Sequence, residues 1–439
     1  MSNTLCPMST RPRLLVIKGF GGPAATIFCP LWSELADLAV VYERTDTAFI
    51  DIDPVAETRA VEECGGDYVE VHSPDEIVPA ALAYAVEHPV DGILTISEPL
   101  LRQTAEIAER LALPHHHPVD AARIMTDKYQ QREALRRHGM ATPRHAAIAG
   151  ADDLAPALEA VGLPAVLKPA FGAGSMLIFR IESRDDLERH YREAIERHSR
   201  SELLRGVEPR FDLEELIASE NWHGDERFAN YVSVETLMFG GEFAALTVSD
   251  RTRQLPPFRE TGLMLPSTLS RERRDEMIAA ARGAAEAVGA TDGPLHIEVM
   301  MTPTGPCVIE INGRLGGSIP YIFSAVSDVD LFREIAKIAL GIPPETTAGF
   351  DGHGGMFNCH VPTEGRVKRL SGLDEARALP GVRQMMVGLH EGDWVSSLLG
   401  LLGGMIRVIC AAPTADELFA IRDRVMDTIH YEIEPAPTA

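Results

Sequence analysis

LHIEVMMTPTGPCVIEINGRLGGS, residues 295–318, decides how this chain is read. Strand alternation puts His296, Glu298 and Met300 on one face of a first strand, and Val308, Glu310 and Asn312 on one face of a second. A hairpin turn over Thr302-Pro303-Thr304-Gly305-Pro306, centred on Thr304, sets Glu298 opposite Glu310 and His296 opposite Asn312. Two carboxylates facing each other across a ladder repel, so the sheet needs a reason to hold them. A divalent metal supplies one: Mg²⁺ takes hard oxygen ligands, usually one or two carboxylates together with substrate phosphates. Arg314 and then Gly316-Gly317-Ser318 add a cation and bare backbone beside the acids, which suits phosphate chemistry. An exposed hairpin with scattered acids is the alternative, kept open by Val308 on the acid-bearing face and by the ease of a one-residue slip.

Working outward, 439 residues give room for two or three domains and a large core. A net charge of −24 argues against nucleic acid or an anionic membrane surface as partner, because no cluster of Lys and Arg offsets it. The six cysteines (Cys6, Cys29, Cys64, Cys307, Cys359, Cys410) have no paired spacing, so neither a zinc site nor a disulfide framework is expected, and a reducing cytoplasm is. The opening MSNTLCPMSTRPR reads as a short loose leader, and no long apolar run suggests a membrane span.

Residues 13–18, RLLVIK, lead into Gly19-Phe20-Gly21-Gly22-Pro23, and strand and helix patterns then alternate through LAVVYE, DYVEV and DGILTIS. That alternation predicts a parallel sheet covered by helices. The glycines lack the full GxGxxG spacing of a dinucleotide site, so an oxidoreductase is a weak alternative. His115, His116 and His117 are adjacent on a loop, where they rarely converge on one metal, and read as a polar linker. Strand HAAIA, helix DDLAPALEAV, strand PAVLKPA, strand MLIFRI and helix SRDDLERHYREAIERHS form a small α+β layer. Strands LEELI, YVSVETLMFG and EFAALTVS and a long helix precede the hairpin, and the tail alternates MFNCHV, RVKRL and MIRVICAA with the helix TADELFAIRDRVMDTI.

Lys168 ends a buried-looking strand next to Phe171-Gly172-Ala173-Gly174-Ser175. A glycine loop can close over a triphosphate with its backbone N–H groups while the ammonium offsets charge. The lysine precedes the glycines, unlike the Walker pattern. Lys128 is a second candidate cation.

These pieces, in order, resemble a known superfamily. Asp127-Lys128, Arg132, Leu135, Gly139 and Thr142-Pro143, then PAVLKPAFGAGS, LEELI, HIEV and VIEINGRLGG are similar to the ATP-grasp carboxylate–amine ligases across essentially the whole chain. The segment from Asn230 to Leu269 most resembles the bacterial L-amino acid ligases, the dipeptide synthases. The resemblance implies an amino-terminal, doubly wound parallel α/β domain (1–120), a lid subdomain with the glycine loop (121–205), a catalytic subdomain (206–345) and a carboxy-terminal α+β subdomain (346–439).

It implies ATP and Mg²⁺, with Mn²⁺ as a substitute, and small-molecule amino acids as partners. Dimers are common in the superfamily, so a homodimer is one assembly to expect. Lys128 and Lys168 are implied to contact ATP phosphates under the loop Gly172, Ala173, Gly174 and Ser175, and Glu215, Leu216 and Ile217 to present backbone to adenine. Glu298 and Glu310 hold Mg²⁺ in this reading, assisted by Asn312. Arg314 stabilises the charge on an acyl phosphate and tetrahedral intermediate, and Glu260 receives the amino group of the first substrate. Glu260 and His296 are the candidate bases for the incoming amine.

The chain departs from the pattern at three places. Arg251 replaces a phosphate-side lysine, keeping charge but not shape. Leu263 stands where related chains have histidine. Ser318, after Gly317, stands where a bulky aromatic can close the first-substrate pocket. The expected reaction is therefore ATP-dependent amide-bond formation with unassigned substrates; the rivals are a ligase or carboxylase with a non-amino-acid substrate and a nucleotide-binding module without catalysis.

Overall fold

The computed structural model describes residues 11–44, 53–171, 177–200, 208–256, 258–361, 364–395 and 405–435. Its first sheet has four parallel strands, Arg13–Lys18, Asp37–Glu43, Asp67–Val71 and Gly92–Thr95, in the order third, second, first, fourth. Strands buried on both faces are apolar throughout rather than alternating. Accordingly, Leu14, Val16, Leu38 and Val40 pack under Phe28, Trp32 and Val61 on one side. Leu15, Ile17, Val41 and Ile93 pack under Ile77, Ala81 and Ile107 on the other. The chain reverses its direction of winding between the first and fourth strands, and a crevice opens at the carboxyl ends of strands where that happens.

A second, antiparallel sheet has the order His145–Ile148, Phe211–Glu215, Ala165–Pro169, Phe179–Ile181. Leu167, Ile181, Phe211 and Leu213 turn one face toward Leu187 and Ala194 of the helix Arg184–Arg200. The strand expected over 213–217 is Phe211–Glu215, so Leu216 and Ile217 lie beyond its end. The expected glycine loop, Gly172 to Ser175, lies outside the described residues.

The largest sheet has eight strands in the order Gly305–Asn312, Gly293–Thr302, Phe228–Phe239, Glu242–Thr252, Gly262–Leu265, His353–Cys359, Ile406–Ala412, Val382–Val387. Every neighbouring pair is antiparallel. The sheet thus runs on across residue 346. Behind its first half lies the helix Arg271–Val288, whose Met277, Ala281, Ala284, Ala285 and Val288 form one apolar stripe against Val232, Val234, Ile297 and Ile311. Ser270 starts that helix by accepting from the Arg273 N–H, and Gly289 ends it at φ 72°, where a side chain would be strained. The helix Ala415–Thr428 covers the back of the second half through Leu418, Phe419 and Val425. A three-stranded sheet, ordered Trp394–Val395, Gly365–Ser371, His430–Pro435, completes the fold.

In the hairpin, Glu298 pairs with Glu310 and His296 with Asn312, as expected, but by a different route. Thr302 pairs with Gly305, leaving Pro303-Thr304 as a two-residue turn centred half a residue before Thr304. A bulge between the Val299–Val308 and Glu298–Glu310 pairs then adds Ile309 to the second strand. The two offsets cancel for the acids. They do not cancel for Val308, which falls on the opposite face with Val299 and Ile311, buried in the core. The three histidines differ from a solvated linker: His117 is buried, and His115 stacks on Phe239 at 5.2 Å with Nδ1 3.1 Å from Asp292. Among the described residues, no helix is long and apolar enough to cross a membrane.

Candidate active site

A cleft of about 1040 Å³ opens over the free face of the eight-stranded sheet, and all three large sheets contribute walls. From the parallel sheet come the loops after its first and fourth strands, Phe20 to Pro23 and Ile96 to Pro99. These are the two loops at the reversal of winding, so the glycines face this shared cleft. Arg314 donates from Nε to Glu98 Oε2 at 2.8 Å, joining that wall to the hairpin. Burial lowers the basicity of Arg314, but Glu98 more than restores it.

The second wall is the small sheet. Phe211 and Leu213 face its core, so Asp212 and Glu214 face the cleft side with Lys168, which pairs with Asp212 across the ladder. Lys168 Nζ lies 2.7 Å from Glu214 Oε1, and Arg132 grips the same carboxylate with Nε at 2.8 Å and Nη2 at 3.2 Å. Burial alone would raise the Glu214 carboxyl; Arg132 and Lys168 outweigh it and hold it ionised. Burial is also the main pull on Lys168, bringing its ammonium below the usual range against the attraction of Glu214. Arg132 further donates to the carbonyls of Val308 and Ile309, at 3.3 and 2.5 Å, and so ties the small sheet to the bulge. Glu215 instead bonds Arg144 at 3.0 and 3.1 Å, while the Leu216 N–H donates to the Pro164 carbonyl at 3.0 Å. Glu215, Leu216 and Ile217 all line the cleft.

The floor holds the acids. Glu310 Oε1 is 2.5 Å from Lys128 Nζ, and that carboxylate raises the lysine's basicity against its burial. Glu298 Oε1 is 2.8 Å from Arg251 Nη2. Burial would raise the Glu298 carboxyl, but Arg251 holds it low. Arg251 also donates from Nη1 to Glu260 Oε1 at 3.2 Å, which accepts from the Tyr231 hydroxyl at 3.2 Å as well. His296 Nδ1 is 2.8 Å from Glu235 Oε2, and its Nε2 is 2.9 Å from Arg251 Nη2. Burial lowers and Glu235 raises the imidazole, with a net push up to about 9. Direct contact with Arg251 opposes this: a guanidinium nitrogen can only donate, so Nε2 accepts and Nδ1–H donates to Glu235. In contact with Arg251 the ring is therefore neutral. Asn312 Nδ2 donates to the His296 carbonyl at 3.3 Å. A Cβ on Gly316 would stand 2.6 Å from His296 Nδ1, so that glycine admits the ring, whereas Gly317 faces open space.

Among the described residues, no group of three or more His, Cys, Asp or Glu is arranged to hold a metal. The donors that are present, Glu298 and Glu310, have side chains 15% and 22% exposed toward one cleft, with Asn312 beside them. Two partly exposed carboxylates fit Mg²⁺ that also takes phosphate oxygens and water. Their present partners, Arg251 and Lys128, occupy the same oxygens.

Leu263 and Ser318 lie further along, both buried and both on the cleft wall. Ser318 precedes the helix Ile319–Val326, and Leu263 pairs across strands with Arg251 and Met356. Sequence reading overlooked Glu98, Arg132, Glu214, Tyr231, Glu235 and Arg407 as parts of this site. For Glu214 the signal was available, since the alternation of Phe211 and Leu213 already sends it to the face of Lys168.

Comparison with known proteins agrees with this fold. A family profile described as ATP-grasp domain matches residues 161–320, and one described as L-amino acid ligase C-terminal domain 2 matches residues 359–434. The chain is 28% identical over 248 residues to alanine–anticapsin ligase of Bacillus subtilis (strain 168), covering 55% of this chain and 52% of that one. It is 29% identical over 271 residues to carnosine synthase 1 of Homo sapiens, covering 58% of this chain and 31% of the other. The chain thus spans about half, or less, of these curated relatives. The crystal structure of an L-amino acid ligase from Bacillus licheniformis superposes with a TM-score of 0.76 at 20% identity, covering 97% of this chain and all of that one. With the fold and the domain matches in agreement, the chain has the ATP-grasp fold, carries an ATP-grasp domain over residues 161–320 and resembles the L-amino acid ligases.

Proposed function

We propose that the protein is an ADP-forming carbon–nitrogen ligase that activates the carboxylate of one amino acid as an acyl phosphate and couples it to the amine of a second. One observation carries this reading: Glu298 and Glu310, each countered by a cation, face the same cleft as Lys168 and Arg314. Lys128 and Lys168 neutralise the triphosphate, Lys168 doing so from a fixed position because Glu214 and the strand hold it. Glu298, Glu310 and Asn312 are the residues to hold Mg²⁺, which when bound would spread the charge of the transferring phosphoryl group; Mn²⁺, sharing its taste for oxygen donors, is proposed to replace it.

In the first step a carboxylate oxygen bonds to the γ-phosphorus of ATP, and the bond to the bridging oxygen breaks with its electron pair going to ADP. In the second, the amine nitrogen bonds to the acyl carbon, phosphate departs with the C–O electron pair, and the nitrogen gives up a proton. Arg314 is placed to offset the charge that builds on the acyl oxygens. Glu260 receives the donor's ammonium, exchanging part of its contact with Arg251. His296, neutral and clasped between Glu235 and Arg251, positions that arginine. One relative is named alanine–anticapsin ligase and the similar solved structure is titled an L-amino acid ligase, which supports the class of reaction.

The test is Glu310→Ala. Release of ADP from MgATP and mixed amino acids should fall to background while circular dichroism and the thermal midpoint stay near wild type. Full activity in that variant would remove the metal assignment, and absence of an amide product by mass spectrometry in the wild type would remove the ligase reading.

A further inference from the structure

Glu260 is gripped at both ends. Its carbonyl accepts from Asn358 Nδ2 at 2.9 Å and from His360 Nε2 at 2.7 Å. A carbonyl can only accept, so that histidine nitrogen carries the proton. Its carboxylate oxygen Oε1 accepts from Arg251 Nη1 and from the Tyr231 hydroxyl, each at 3.2 Å. Arg251 is shared, since its Nη2 also lies 2.8 Å from Glu298 and 2.9 Å from His296. Tyr231 gives its single proton to Glu260 and accepts from Gln254 Nε2 at 3.2 Å. Gln254 precedes Glu260 on one connecting segment and Tyr231 lies on the strand Phe228–Phe239, so these bonds tie that segment to the sheet.

The two holds on the carboxylate differ in kind. Arg251 offsets its charge, whereas a phenol orients it and leaves the charge in place. Burial pushes the Tyr231 hydroxyl well above its ordinary value of 10, and Glu260 adds to the push, so the proton stays on the phenol. The ring is buried, with the Arg251 guanidinium 5.4 Å from its centre. When a cation enters beside Glu260 and Arg251 yields part of its contact, the bond from Tyr231 keeps the carboxylate aimed. The Glu260 side chain is 15% exposed and lines the cleft. A ligand ammonium there meets an ionic partner, and a hydroxyl in its place would lack the attraction between opposite charges.

We propose that Tyr231 is a positioning residue that aims Glu260 at the α-ammonium of the acyl donor, so that the site takes a 2-amino acid in preference to the 2-hydroxy acid of the same side chain. The role rests on the ligase reading given above for the placement of the donor's amine at Glu260. Tyr231 itself touches no reacting atom and acts through the acid it orients.

Tyr231→Phe provides the test, because it keeps the ring beside Arg251 and removes the hydroxyl alone. Each of the twenty standard L-amino acids is titrated calorimetrically into the full chain in the presence of a non-hydrolysable MgATP analogue, and the tightest binder is compared with its 2-hydroxy counterpart. In the wild type the amino acid should bind at least about 10-fold more tightly than the hydroxy acid. In Tyr231→Phe its affinity should fall about 10-fold, as loss of one hydrogen bond to a charged group predicts, while the hydroxy acid and the ATP analogue move by less than about 3-fold. Equal weakening of all three ligands would make Tyr231 a structural residue and overturn the inference. So would an unchanged amino-acid affinity in the variant, or a wild type that binds no amino acid or does not distinguish the ammonium. If Tyr231→Phe does not fold, Gln254→Leu, which takes away the donor to the Tyr231 hydroxyl, should give the same pattern at about 3-fold, and its absence overturns the inference. ADP release is read separately: ammonium selection that depends on Tyr231 without ADP release from any pair of amino acids upholds the role of Tyr231 and overturns the ligase reading.

Discussion

The two ends of one sheet face are lined differently. At the hairpin end every acid has a basic neighbour, Glu298 with Arg251 and Glu310 with Lys128. At the far end Arg407 stands among Leu263, Met356 and Met386. A matched set of charges suits groups that every turnover has in common, because phosphate and metal can enter by exchanging partners at little net cost. On the proposed reading the chemistry lies at the hairpin end, about five strands from the mainly apolar end of the same sheet.

Four measurements break or sharpen that contrast. The largest effect is expected at the support of the hairpin end. Arg132→Met would leave Glu214 buried with Lys168 as its remaining close cation, and should cost about 3–5 kcal/mol in urea unfolding. A loss below about 1 kcal/mol would mean that the joint between small sheet and bulge does not depend on this ion pair.

Arg314→Met comes next. It should lower the rate of ADP release by about 10²- to 10³-fold, with a far smaller change in thermal midpoint. Near-normal turnover would place the reacting centre elsewhere on the sheet. Gly316→Ala should follow: the new methyl meets His296 and Ile319 closer than 3 Å, so a destabilisation of about 1–3 kcal/mol and a slower reaction are expected. Urea unfolding and the rate of ADP release read the two effects, and an unchanged unfolding midpoint would show that His296 moves aside freely.

The smallest effect lies away from both. Burial pulls the His117 imidazole down to about 4, from an ordinary value of 6.5. Between those values the unfolded chain binds a proton that the folded one refuses. Stability should therefore decline as pH falls from about 6.5 to 4, by at most about 1.4 kcal/mol per unit. His117→Gln should flatten that part of the pH profile of urea unfolding; an unchanged slope would assign the acid sensitivity to other groups.

How much of this could be read from the letters depended on sequence distance. The hairpin is local, so alternation and a turn signal were enough to face Glu298 with Glu310, although the turn was misplaced by half a residue and the bulge at Ile309 was not foreseen. Bulges leave almost no trace in one sequence, and Val308 was sent to the wrong face for that reason. The parallel sheet was legible because strands buried on both sides are apolar throughout. Glu214 was passed over in favour of Glu215, although alternation with Leu213 distinguishes them. Arg407 was out of reach: its place on the cleft wall depends on successive pairings of strands far apart in sequence, and nothing in RVICAA announces a cleft. The short strands Val382–Val387 and Trp394–Val395 were missed likewise, since edge strands carry weak patterns.

The bulge at Ile309 also sets what can be changed without harm. Since it sits between the tip Thr302–Gly305 and the facing acids, and Arg132 fastens its carbonyls, the register of Glu298 and Glu310 is fixed below the tip. The tip is then a free handle: a label, a short peptide tag or a tether to a surface attached at Pro303-Thr304 would ride on the outside of the molecule while the acids keep their places.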